Sequence, residues 1–220
     1  MESLLTKVIN LIYENSCLIC SRGSKDFMVC KNCENSFIQR EKNNFKAFQE
    51  ITVYTWGIYE GKLRAGIIEL KGKKRKLGNY FSKKLTDFWN NLPPEITNTN
   101  YLVIPVPSHK KRIKERGYCQ SSLIARDFAK NTNQRFTDDF VTRTKETQYM
   151  NSLENINERI KNIKGAFCIT EIKPKEKNIL IVDDILTSGS TMCELARTIH
   201  KKYPEVNLVG LTIASGDTYN

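Results

Sequence analysis

The sequence predicts an α/β fold, a parallel sheet flanked by helices with a small four-cysteine module in front of it. Three observations lead there. The run Ile179-Leu180-Ile181-Val182 is apolar without interruption, as a strand covered on both faces must be. Strand-like and helix-like segments alternate along most of the chain, which argues for βαβ units. Two CxxC pairs, Cys17 with Cys20 and Cys30 with Cys33, stand close together near the N-terminus.

A chain of 220 residues suffices for one α/β domain with a full core plus an appendage. The expected division is an N-terminal helix and zinc-binding module over 1–45 and the main domain over 46–220. Leu4, Leu5, Val8, Ile9 and Ile12 alternate with polar residues as an amphipathic helix does, unlike a signal-peptide core. From Ile51 to Tyr59 the residues are mostly β-branched and aromatic, and Glu60-Gly61 turns the chain into a helix through Leu63, Ile67, Ile68 and Leu70. Phe81, Leu85, Phe88 and Trp89 place a second helix over 79–91, ended by Pro93-Pro94. Tyr101 to Val106 reads as a strand, Gln120 to Lys130 as a helix, and the polar segment Thr142 to Asn162 as a long loop or a helix. A helix over 191–202 follows the apolar run, and Val206 to Ile213 is the last strand.

Apolar residues at 40% and charged residues at 27% are ordinary for a soluble protein, and no window offers the roughly 18 apolar residues of a membrane span. An integral membrane protein is therefore not expected. Seven cysteines is an odd count, and without an export signal metal binding or burial explains them better than disulfides. The cytoplasm fits. The net charge of +11 calls for an anionic partner: a phosphate-rich small molecule, a nucleic acid or a membrane surface.

After Val182 come Asp183-Asp184, then Thr187-Ser188-Gly189-Ser190-Thr191, then the helix. At the carboxyl end of a parallel strand such a loop opens into the crevice where these sheets bind ligands. Four hydroxyls, a glycine that lets the backbone approach, and free N–H groups at a helix start suit a phosphate monoester. Ionised carboxylates would repel that phosphate unless they face hydroxyl donors, and a ribose diol supplies two. The pattern therefore reads as a ribose 5-phosphate site, with the carboxylates as the candidate catalytic pair. Neither GxxxxGK[ST] nor GxGxxG occurs. The plainer alternative is a capping box of Thr191 and Glu194 after an ordinary strand.

The four paired cysteines can close a tetrahedral structural zinc site, with a redox dithiol as the alternative. Cys119, Cys168 and Cys193 lack that spacing and read as small buried fillers.

An apolar run, Asp-Asp, two residues and Thr-Ser-Gly-Ser-Thr resemble the motif for 5-phosphoribosyl-1-pyrophosphate (PRPP) of type I phosphoribosyltransferases. Pro105-Val106-Pro107, Arg112, and Arg116-Gly117-Tyr118-Cys119-Gln120 narrow the resemblance to the ComF family of competence proteins. So do Gln148, Leu153, Arg159, Asn162 and Gly165-Ala166-Phe167. Cys119 stands where the family usually has Asn, and Thr212-Ile213-Ala214-Ser215 where many members have Thr-Leu-Ala-Arg. The resemblance implies that Asp183, Asp184, Thr187, Ser188, Gly189, Ser190 and Thr191 hold PRPP. It also implies that Pro107, Ser108 and His109 approach its pyrophosphate, with Arg112 and Arg116 as nearby cations and Mg2+ accompanying the ligand. It further implies a mobile loop around Thr144 to Arg159.

Lys71, Lys73, Lys74, Arg75 and Lys76 place five cations in six residues, either a docking site for single-stranded DNA or a solvated loop. The resemblance implies a cytoplasmic PRPP-binding protein, free or at the inner face of the inner membrane. It would work with the competence DNA-import machinery to bring single-stranded DNA across that membrane. Two enzymatic alternatives stand beside it: an active phosphoribosyltransferase with an unidentified acceptor, and a nucleobase-salvage enzyme, for which no base-reading segment is visible.

Overall fold

A computed structural model describes residues 16–24, 28–40, 44–147, 155–171 and 174–216. The expected helix from Leu4 to Ile12, and Gln148 and Leu153, lie outside these residues. The strands are β1 (Phe45–Ala47), β2 (Thr52–Ile58), β3 (Leu102–Pro105), β4 (Arg135–Phe136), β5 (Val141–Arg143), β6 (Phe167–Ile169), β7 (Asn178–Leu186) and β8 (Asn207–Ser215). Six of them form one sheet in the order β1-β2-β8-β7-β3-β4, parallel except for the edge pair β1 and β2. β5 and β6 make a separate antiparallel pair. The helices are α1 (Lys31–Glu34), α2 (Gly61–Lys71), α3 (Leu77–Trp89), α4 (Pro94–Thr97), α5 (Lys110–Arg116), α6 (Gln120–Asn131), α7 (Ile156–Ile163) and α8 (Ser190–Lys202). This is the parallel α/β architecture that the alternation of elements predicts.

β7 shows why its sequence is apolar on both sides. Side chains alternate across a strand, so Leu180 and Val182 enter the core formed with Leu63 and Ile67 of α2, Phe81 and Trp89 of α3, and Phe128 of α6. Ile179 and Ile181 enter the opposite core with Met192, Leu195 and Ile199 of α8. The strand then continues beyond Val182, pairing Asp183 with Thr212, Ile185 with Ala214 and Leu186 with Ser215. Main-chain pairing needs no apolar side chain, so the two carboxylates are held on a regular strand rather than on a loose turn.

The cysteine segment packs into the first of these cores. Cys17, Ile19, Val29, Cys33 and Phe37 are buried together with Trp56 and Phe81. Phe37 meets Trp56 edge to face, with centroids 5.9 Å apart, so the strand aromatic Trp56 serves packing. Arg40 reaches across to the end of β8, where its Nε donates to Ser215 Oγ at 3.0 Å. No helix among the described residues is long and apolar enough to cross a membrane.

Candidate functional site

The ends of β3 and β7, the last residue of α2 and the start of α6 surround a cleft of about 150 Å3. Its lining includes Pro107, Ser108, Arg112, Arg116, Asp183, Asp184, Thr187 and Thr191 from the sequence reading, and adds Lys71, Gln120 and Arg143. Asp184 is almost fully buried, and Lys71 Nζ lies 2.7 Å from its Oδ2. The backbone N–H of Asp184 donates to Asp183 Oδ1 at 2.9 Å. Burial and the neighbouring charge of Asp184 push the Asp183 carboxyl well above the usual range, and Lys71 only partly offsets them. A carboxyl beside another carboxylate gives up its proton less readily.

The phosphate loop is built around Gly189. Its φ of +81° lies in the left-handed region, and a Cβ there would run into the Phe48 ring. Glycine thus satisfies both the backbone turn and the close packing. Gly189 precedes α8 and has no side chain with which to cap it, while Ser188 Oγ accepts the Ser190 N–H at 3.5 Å. The leading N–H groups of α8 and its dipole favour an anion. Ser188 and Ser190 bond each other through their hydroxyls at 2.9 Å, while Thr187 and Thr191 face the cleft.

Positive charge collects on the other side. Arg112 Nη2 donates to the Thr147 carbonyl at 2.8 Å, and Arg143 reaches the Thr147 hydroxyl. Arg116 Nη1 donates to Gln120 Oε1 at 3.0 Å. Burial and the adjacent Arg112 charge lower the Arg143 guanidinium to about 10, and its buried Nε has no hydrogen-bond partner. A desolvated cation beside another cation is a place where an anion would be strongly held. His109 takes a different position: its Nδ1 accepts the Lys111 N–H and caps α5, and its ring is not among the cleft-lining groups. Cys119 places its Sγ 3.4 Å from Ser108 Oγ, behind the loop that follows β3.

Cys17, Cys20, Cys30 and Cys33 gather with all four Sγ atoms within 4.8 Å of one another. Cys17 and Cys33, and likewise Cys20 and Cys30, are 3.8 Å apart. Zinc with bonds of about 2.3 Å to four sulfurs would set them about 3.8 Å apart along each tetrahedral edge, so the cage fits that ion. Burial opposes ionisation of Cys17, but backbone N–H groups of Cys30, Cys20 and Ile19 lower its thiol to about 6. The expectation of buried fillers fails for the other three: Cys119 and Cys193 are half-buried and Cys168 is exposed. β6 alternates Phe167 inward and Cys168 outward, leaving its thiol exposed.

Comparison with known proteins gives this geometry a context. A family model described as a phosphoribosyl transferase domain matches residues 123–215. The DNA utilization protein YhgH of Escherichia coli O6:H1 is 33% identical over 97 residues, 44% of this chain and 42% of that one. Competence protein F of Haemophilus influenzae is 30% identical over 115 residues, 51% of this chain and 50% of that one. Competence protein ComFC of Bacillus subtilis is 21% identical over 201 residues, 90% and 76% of the two chains. This chain is thus similar over part of its length to ComF-type competence proteins and to a phosphoribosyl transferase domain. Its match spans less than half of the DNA utilization protein. Lys71, Ser108, Arg112 and Arg116 precede the segment that the domain model matches, so about half of the cleft comes from outside it.

The sulfur cage predicts that protein purified without added zinc carries one ion per chain by elemental analysis. Cys17→Ser should lose most of it, while Cys168→Ser, altering an exposed thiol, should retain it; equal retention would refute this ligand set.

Proposed function

We propose that the cleft binds PRPP, and that the chain serves natural competence by assisting the import of single-stranded transforming DNA across the inner membrane. The observation that carries the first part is the arrangement of opposite charges within one cleft. The start of α8 receives the 5-phosphate beside Thr187 to Thr191, Asp183 and Asp184 accept from the ribose hydroxyls, and Arg112, Arg116 and Arg143 meet the pyrophosphate beyond Pro107 and Ser108. Among the described residues no acidic trio forms a cage for a hard cation. Mg2+ would therefore arrive on the pyrophosphate oxygens, where it supplies further neutralisation. The printed names of the competence and DNA utilization relatives support the second part.

A second reading has its own support. The cations gather where a leaving pyrophosphate would stand, which suits transfer of the phosphoribosyl group: the bond from the anomeric carbon to the pyrophosphate oxygen breaks as an acceptor nucleophile bonds to that carbon. Such catalysis is positioning and charge stabilisation. Pyrophosphate release in the presence of pooled acceptors separates turnover from binding.

The basic run divides. Lys71 belongs to the cleft, and Lys74 is tied to Glu69 at 3.3 Å and to the Leu18 carbonyl at 2.8 Å, bracing the cysteine segment. Lys73, Arg75 and Lys76 are exposed and form the part suited to a polyanion.

Two outcomes follow for binding. Calorimetry should show PRPP with magnesium binding to the parent protein, with loss of tenfold or more in the double variant Asp183→Asn, Asp184→Asn, since each charge-assisted hydrogen bond contributes about 1.5 to 3 kcal/mol. Arg143→Met should weaken PRPP by a similar factor and ribose 5-phosphate less, through Asp183 alone; equal loss of both ligands would move Arg143 away from the pyrophosphate. For DNA, replacing Lys73, Arg75 and Lys76 by Ala should shallow the salt dependence of single-strand binding by about 0.7 per lost phosphate contact, with PRPP affinity retained. An unchanged slope would place the DNA elsewhere.

A further inference from the structure

Lys71 occupies a defended position. It is the last residue of α2, next to the fully buried Leu70. The Tyr118 hydroxyl donates to the Leu70 carbonyl and, at 3.4 Å, lies within reach of the Gly72 carbonyl. The Gly72 N–H closes the helix on Ile68 and Glu69 carbonyls at 2.9 and 3.1 Å. The backbone on both sides of Lys71 is thus fixed, and its ammonium is delivered to one place, 2.7 Å from Asp184 Oδ2.

That pair is weak evidence for stability. The Asp184 side chain is only 5% exposed, and withdrawing two charges from water costs roughly what their attraction returns, so an apolar pair of similar volume would serve stability as well. The pair instead lines the cleft beside Asp183 and Thr187. Asp183 and Asp184 leave opposite sides of β7, and each has a cation in its field: Lys71 at Asp184, and Arg143 close enough to Asp183 for mutual attraction. Tyr59 is the other titratable group acting on Lys71.

We propose that Lys71 is a positioning residue: paired with Asp184, it fixes that carboxylate for a ribose hydroxyl and supplies the positive charge that lets Asp183 ionise beside it. This rests on the reading of the cleft as a ribose phosphate site. Burial and the Asp184 charge push the Asp183 carboxyl upward, and Lys71 works against both. Removing the ammonium therefore raises the pH at which Asp183 becomes an acceptor. A lysine that only packed would leave that profile unmoved.

The test is the affinity for ribose 5-phosphate as a function of pH, which involves the carboxylates and the phosphate loop but no pyrophosphate. Lys71→Met should lose about tenfold near neutrality, and its rise in affinity with pH should move upward by about one unit. Lys71→Arg keeps the charge and should follow the parent profile. If the Met variant does not fold, Lys71→Gln replaces it with the same expectation. A folded, uncharged variant with the parent's affinity and profile would overturn the proposal, as would an Arg variant as deficient as the Met one. A parent protein that binds neither ribose 5-phosphate nor PRPP would instead overturn the reading of the cleft, and this proposal with it.

Discussion

Two adjacent carboxylates stand at the end of the sheet's central strand, and their repulsion sets the terms for everything near them. Asp184 is held in place by Lys71 at 2.7 Å, and Asp183 is pushed toward its protonated form by burial and by Asp184. A pair in this condition is poorly satisfied by the protein alone. A ligand that offers two hydroxyl donors, flanked by anionic groups at both ends, would complement it. The start of α8 lies on one side of the pair, and Arg112, Arg116 and Arg143 on the other.

The rest of the fold holds these groups at fixed places. β7 pairs with β8 through Leu186, so the carboxylates are carried on regular strand geometry between two cores. Phe48, from the turn between β1 and β2, packs against Gly189 and supports the loop. Glu50 in the same turn meets Arg197 of α8 at 2.6 Å, a half-exposed contact that fixes orientation more than it adds stability. The cysteine cage shares its core with α2 and α3, and Lys74 bonds to the Leu18 carbonyl. The cysteine module therefore supports the same helix that ends in Lys71.

Much of this was legible in the sequence because it is local. The apolar run, the Asp pair, the hydroxyl loop and its glycine are consecutive residues, and the CxxC spacing carries its own chemistry. Lys71 and Arg143 were not legible as cleft residues, because their roles arise from tertiary packing. Lys71 sits within a basic run whose other members face solvent or the cysteine segment, and Arg143 precedes a polar segment with no clear period. β1 and the pair β5 and β6 are too short for periodicity to mark them. The same limit applies to His109, where sequence cannot distinguish a ligand contact from the helix cap its ring makes.

The central proposal is that PRPP binds at a carboxylate pair whose Asp183 is pushed toward its protonated form by burial and by the Asp184 charge. The most direct measurement is titration calorimetry of PRPP near pH 7 in buffers of different ionisation enthalpy, which counts protons exchanged on binding. Hydroxyl donors favour the ionised form, so binding should release protons beyond the small share from the ligand's own phosphate, whose second pKa is about 6. Affinity should also rise with pH above the ordinary carboxylate range until Asp183 is fully ionised. Binding with no proton release, or with proton uptake, would contradict the account.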